Sequence, residues 1–229
     1  MKKKIALTLA LTSSAYSKIE PYVGLHIGAE NLKGDREDAL KFYQDSYTHP
    51  KRLKEFGAIL GIHTGIDKLI AQWAIGGEVE ANLMSTKHTV RYRLLDTIVP
   101  VYKNYQQEFS HIGNIVVGIK LGRIVFSHCM AYLKPIVSFD YFRTKTSYMQ
   151  GLGDMNIEVN SYRKTKKIVG GGLGIGVERR IGNFKVGTEL RYIKHRSLQQ
   201  SFNFNPVEHG NFKAKPKTIA ATLRLSYCF

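Results

Sequence analysis

Two serine–histidine neighbours, Ser110–His111 and Ser127–His128, come nearest to a nucleophile and its base in this 229-residue chain. A serine is activated by an imidazole within hydrogen-bond reach, itself oriented by a carboxylate. Adjacent residues of a strand point to opposite faces, so neither pair can meet directly. No catalytic residue is therefore expected. His26 and His63 share a face on neighbouring segments and could approach one another, as metal ligands or as hydrogen-bonding polar residues; the second is expected, with no metal site. The run GGGLGIG, Gly170 to Gly176, has glycine spacing that suggests a phosphate loop. It lies inside an alternating segment, not between a strand and a helix, so it lacks the required context. No cofactor is expected. What remains is a set of ionisable residues on one parity of their segments: Glu78, Glu80, Lys120, Glu178, Lys185, Glu189, Arg191 and Arg224.

Those charges must be positioned by strands. Period-two alternation, the signature of a strand, recurs in eight segments, near 19–29, 56–63, 72–83, 109–121, 130–142, 167–180, 183–194 and 218–229. In the last, Ile219, Ala221, Leu223, Leu225, Tyr227 and Phe229 alternate with Thr218, Ala220, Thr222, Arg224, Ser226 and Cys228. Short connections are expected around IDKL, LGR and RIGN, and long ones over 31–54, 85–107, 143–166 and 195–216. Alternating short and long links make an antiparallel up-and-down meander with the long loops at one end.

The chemistry of the two faces chooses the solvent. One face is apolar; the other mixes glycine with charges of both signs. A closed barrel can turn the ionic face inward, where opposite charges pair. The apolar face then needs an apolar solvent, and a closed barrel satisfies every backbone group within a bilayer. The expected fold is all-β: an eight-stranded antiparallel transmembrane β-barrel. Outward aromatics would form two girdles at the interfaces. Trp73, Phe184, Tyr227 and Phe229 fall at the short-turn end, and Phe56, Phe109, Tyr141 and Tyr192 at the long-loop end.

Residues 1–17 carry Lys2, Lys3 and Lys4, an apolar run from Ile5 to Leu11, and small residues up to Ser17. That order is a secretory signal peptide, which leaves 18–229 as the barrel domain. No apolar run reaches the length of a transmembrane helix. Two cysteines, Cys129 and Cys228, allow one bridge or two free thiols.

The signal peptide, GGGLGIGVERRIGNFKVGTELRYIKH and the terminal LRLSYCF together resemble outer-membrane β-barrels of the OmpA/OmpX-like type, including bacterial surface antigens of the porin family. The resemblance implies a Gram-negative cell outer membrane, reached by export. It also implies that Leu225, Tyr227 and Phe229 are the insertion signal read by the barrel-assembly machinery. Some barrels of this kind modify lipid A with a serine, a histidine and a carboxylate.

An eight-stranded barrel is just wide enough for side chains to fill, so a plugged lumen is expected, with a narrow ion-conducting channel as the alternative and a lipid A-modifying enzyme as the third reading. The chain is strongly basic, at +16. Arg163, Lys164, Lys166 and Lys167 head a basic long loop. Such cations suit lipopolysaccharide phosphates or, in adhesion, anionic host glycans. An exported protein rarely meets nucleic acid, and none is expected as a partner. The reading is a structural and interacting surface protein, not an enzyme.

Overall fold

The computed structural model describes residues 17–42, 45–95, 102–126, 128–152, 155–205 and 208–229. The expected signal peptide, but for Ser17, and Ser127 lie outside them. Among the described residues nine strands follow one another: β1 (Ser17–Phe42), β2 (Asp45–Ile70), β3 (Trp73–Leu95), β4 (Tyr102–Phe126), β5 (Cys129–Leu152), β6 (Met155–Ile181), β7 (Phe184–His195), β8 (Leu198–Asn205) and β9 (Glu208–Cys228). All pairings are antiparallel between neighbours, and β1 pairs with β9, which closes the sheet. The ring has eight columns, because β8 continues the column of β7 against β9 after an interruption at Arg196–Ser197. The fold is thus the expected antiparallel up-and-down barrel.

The outward residues form an apolar belt. Ile19, Val23, Leu25 and Ile27 of β1, Leu60 and Ile62 of β2, and Leu223 and Leu225 of β9 are all exposed. Their strand partners on the other parity, Glu20, His26, His63, Arg224 and Ser226, are buried. Eleven residues from Ile19 to Ala29 match the length a tilted strand needs to cross a bilayer. Water cannot be the solvent of a continuous surface of this kind. The belt is the bilayer-spanning part.

Both ends differ from the expected connections. The turns after β2 and β4 are tighter and later than IDKL and LGR, because the strands run on to Ile70 and Phe126. Ala71 and His128 adopt positive φ there (54° and 66°), and Gly182 does so between β6 and β7 (60°). Two-residue hairpins need such left-handed residues. At the other end the expected long loops are strands. β1 and β2 stay paired to Phe42↔Asp45, β3 and β4 to Leu95↔Tyr102, and β5 and β6 to Leu152↔Met155. The basic segment Arg163–Lys167 is therefore part of β6, not a loop.

This tall extension is not a closed ring. The β2–β3 ladder begins at Ile59↔Met84, and that of β6–β7 ends at Gly170↔His195. Among the described residues no ladder joins β2 to β3 or β6 to β8 above those points. The wall divides into two four-stranded sheets, β8-β9-β1-β2 and β3-β4-β5-β6, which face one another. Side chains stitch the seams. Ser85 Oγ accepts from the Ala58 N–H (2.9 Å), His88 meets Glu55 (2.7 Å), and Lys166 Nζ donates to the Gln199 carbonyl (2.8 Å).

Between the two sheets lies an apolar core: Leu32, Leu53, Leu198, Phe212 and Ala214 from one, and Val90, Tyr92, Tyr105, Phe109, Phe142 and Ile168 from the other. Phe109 is wholly buried here, not a girdle residue. The cause is a bulge between His111 and Gly113, where the β4 register shifts. An extra residue inverts side-chain parity beyond it, so odd positions point inward above the bulge and even ones below.

Candidate functional site: a stratified lumen

The closed part of the barrel is filled in layers, and every layer is built by the inward parity of facing strands. Nearest the short turns, three carboxylates meet three cations. Lys120 Nζ lies 3.3 Å from both Asp67 and Glu178, Lys185 Nζ lies 2.9 Å from Asp67 and 3.5 Å from Glu20, and Arg180 pairs with Glu20. Lys120 also sits over the rings of Tyr22 (4.6 Å) and Tyr132 (5.1 Å).

The next layer again matches three with three. Lys134 Nζ reaches Glu78 (2.7 Å), Glu80 (2.6 Å) and Glu189 (2.6 Å). Arg224 touches the same three carboxylates, at 2.6, 2.9 and 2.9 Å. Arg191 bridges Glu80 (2.7 Å) and Glu189 (3.1 Å). Tyr22 and Tyr132 donate to Glu78 (2.8 Å) and Glu189 (2.9 Å). Oxygens of these carboxylates lie within 4.8 Å of one another. A metal ion could use that spacing, but Lys134 and Arg224 already occupy the place. Buried charges persist only when opposite charges offset them, and each of these six has at least two within 4 Å, although Arg191 Nε has no hydrogen-bond partner among the described residues.

Above this the lumen turns to amides and imidazoles. His26 and His63 approach to 3.1 Å between Nδ1 atoms; His63 Nε2 meets Ser226 Oγ at 2.7 Å, and His26 bonds Asn82. Asn82 donates to Asn114 (2.8 Å), and Asn114 to Asp140 (2.9 Å). Each ring faces a glycine across the β1–β2 ladder, Gly61 for His26 and Gly24 for His63. A Cβ at either glycine would meet the imidazole Nε2 at 2.5 Å. These glycines are required by what they make room for.

Uppermost is a histidine–carboxylate layer. His111 links Glu30 (3.1 Å) to Asp140 (3.0 Å), and His195 lies 3.1 Å from the other oxygen of Asp140. His195 also meets Thr218 (2.9 Å), and Ser138 donates to Asp140 (2.5 Å). His111 stacks on Phe142 at 4.4 Å between centroids, and Phe142 stacks on Phe109 at 5.1 Å. The apolar core thus begins on the imidazole itself. It contains one polar knot: Arg36 pairs with Asp38 (2.9 Å) and donates to Gln107, Tyr92 donates to Asp38, and the guanidinium lies 5.0 Å from the Phe212 ring centre.

All eight charges named from the sequence lie inside and meet in the two ionic layers. Sequence reasoning missed Asp67, hidden in an expected turn, together with Arg180. It also left Glu20, Glu30, Lys134 and Asp140 out of the network, although Glu20, Glu30, Lys134 and Asp140 share the inward parity and could have been found by it. Ser110 and His111 are both buried but do not meet: His111 turns to Glu30 and Asp140, Ser110 to Glu108 (3.3 Å). His128 stands in a turn. Cys129 and Cys228 are free thiols.

On the outer face Trp73, Phe184, Tyr227 and Phe229 project at the short-turn end, with Phe184 edge-on to Tyr227 (5.4 Å) and Arg123 over Trp73 (5.4 Å). Phe56 and Tyr192 are exposed and Tyr141 half-buried at the opposite edge. Leu225 and Tyr227 face outward on β9, where it closes on β1, and Phe229 is exposed just past its end. Arg163, Lys164, Lys166 and Lys167 are exposed on β6.

No family model matches the chain, and no curated protein matches it by sequence. Solved structures of similar arrangement include the outer membrane protease OmpT of Escherichia coli, at 10% identity over 91% of this chain and 97% of that one, TM-score 0.42. The outer membrane protein OprG of Pseudomonas aeruginosa is 10% identical over 91% and 95%, TM-score 0.41. Ail, the attachment invasion locus protein of Yersinia pestis, is 10% identical over 89% and 97%, TM-score 0.30. At such values they bear on no chemistry of this chain. The barrel rests on its own closed strand ring and apolar belt, and its neighbours are outer-membrane β-barrels.

Proposed function

We propose that the protein is a surface barrel of the Gram-negative outer membrane, structural and interacting in role, without catalysis. The observation that carries this reading is the double closure of the lumen: two neutralised ionic layers under an apolar core. A pore needs a continuous aqueous path, and a hydrolytic site needs a substrate-accessible nucleophile. The layered interior supports neither. Arg163 and Lys167 on the outward parity of β6, with Lys164 and Lys166 exposed at its open edge, give the tall extension a cationic surface, suited to anionic glycans by electrostatics. Leu225, Tyr227 and Phe229, exposed on and beside the strand that closes the ring, suit recognition by the barrel-assembly machinery.

The test is made on detergent-folded protein. Planar bilayers should show no steady conductance, and immobilised heparin should retain the protein in a salt-dependent way. Charge reversal of Lys164, Lys166 and Lys167 should abolish most of that retention. Steady single-channel steps would replace this reading with the channel; heparin retention indifferent to the reversal would remove adhesion to sulfated glycans.

A further inference from the structure

At the upper edge of the belt the cross-strand register places four lysines side by side. Lys54 of β2 pairs with Lys33 of β1, Lys33 with Lys217 of β9, and Lys217 with Lys194 of β7. All four are exposed on the outer face. Like charges directly opposite on a sheet destabilise it, and none of the four has an acidic partner among the described residues. The next outward row up is built differently: Asp35 stands between Arg52 and Lys215. The lysine row, about 14 Å wide over three strand spacings, is an uncompensated band of positive charge at the height of lipid headgroups.

Directly beneath it the surface is hollow. The same strands bring Ala58, Ala29 and Ala221 into register four residues below Lys54, Lys33 and Lys217, about 13 Å down the barrel wall. Small side chains here leave a groove of about 680 Å³ lined by Ile27, Ala58, Leu190, Ala221 and Leu223. Between row and groove lie Phe56, Asn31, Ile219 and Tyr192, again in register.

We propose that this face of β7, β9, β1 and β2 is a binding site for a bisphosphorylated, multiply acylated glycolipid of the lipid A type, with its phosphates on the lysine row and an acyl chain in the alanine groove. The charge calls for an anion, the width for more than one phosphate, and the groove below for hydrocarbon on the same molecule. The proposal rests on the membrane-barrel reading and adds the lipid.

The test uses the folded full-length barrel in phosphatidylcholine nanodiscs, titrated with bisphosphorylated hexa-acyl lipid A. Lys33→Gln with Lys217→Gln should weaken binding about 30-fold, with unboiled gel mobility unchanged because removing like charges relieves the sheet. Ala221→Leu, which fills the groove, should weaken lipid A but leave the deacylated bisphosphorylated disaccharide untouched. Monophosphorylated lipid A and phosphatidylglycerol should both bind more weakly. The proposal falls if the lysine pair changes nothing, if Lys164→Gln with Lys166→Gln does as much, or if phosphatidylglycerol binds equally well. Failure of the wild type to insert at all would instead overturn the membrane-barrel reading.

Discussion

The lower and upper halves of this barrel are built on the same strands with opposite chemistry. Below Asn31 on β1, the inward row reads Glu20, Tyr22, His26, Glu30, and the outward row Ile19, Val23, Leu25, Ile27. Above it the inward row begins with Leu32, and the outward row continues with Lys33, Asp35 and Glu37. The same inversion occurs on β9, between Ile219 and Lys217, and on β2, between Phe56 and Lys54. Parity along these strands does not change; the medium outside does. Where hydrocarbon bathes the wall, the polar groups must gather inside and neutralise one another. Where water bathes it, the hydrophobic effect again drives apolar side chains inward, and two sheets close on an ordinary core.

The comparison can be broken most severely in the ionic half. Lys134→Met leaves Glu78, Glu80 and Glu189 facing two cations in place of three. It should destabilise the folded barrel by about 3–5 kcal/mol, read as a lowered urea midpoint in detergent. An unchanged midpoint would mean the layer is wet and screened.

Phe142→Ala, in the upper core between Phe109 and His111, should cost about 3 kcal/mol or more. Its effect should be local: faster amide exchange in the extension, with belt amides unaltered. Exchange that quickens equally in both halves would show them to be one cooperative unit.

Leu223→Arg, facing hydrocarbon, should lower stability by about 2–4 kcal/mol. Arg52→Asp, outward on β2 above the belt, should shift it by about 0.5 kcal/mol or less. Equal effects would remove the assigned boundary between the two media.

The smallest effect concerns pH. Burial raises the pKa of the Tyr92 phenol, helped by its hydrogen bond to Asp38 and that carboxylate's charge. The folded form therefore holds this proton more tightly than the unfolded chain. Its stabilisation is complete below the ordinary tyrosine range, near 10, and fades as pH rises beyond it. Amide exchange in the extension should accelerate at alkaline pH, and Tyr92→Phe should blunt that acceleration; an identical profile in the variant would assign it elsewhere.

The belt was legible because each spanning segment meets hydrocarbon on one side only, which enforces strict alternation. The extension was not. Residues 31–42 carry charge on both parities, since Arg36 and Asp38 turn inward and neutralise one another beside Gln107. A buried ion pair looks, in sequence, like the polarity of a loop. The two carboxylate layers were half legible: inward parity marked Glu78 and Arg224, but it could not say which charges share a layer, because that depends on the shear between strands.

From its residues alone the chain determines its eight belt segments, their two faces and the medium each face requires, because these follow from short-range alternation and the cost of unpaired charge. Tertiary structure decided what alternation cannot encode. It took a bulge at His111 and Gly113 to turn Phe109 inward, ladder ends to divide the upper wall into two sheets, and register to bring Lys54, Lys33, Lys217 and Lys194 abreast. Each of these depends on how far one strand slides along the next, a quantity set by pairing over the whole ring and not by any segment within it.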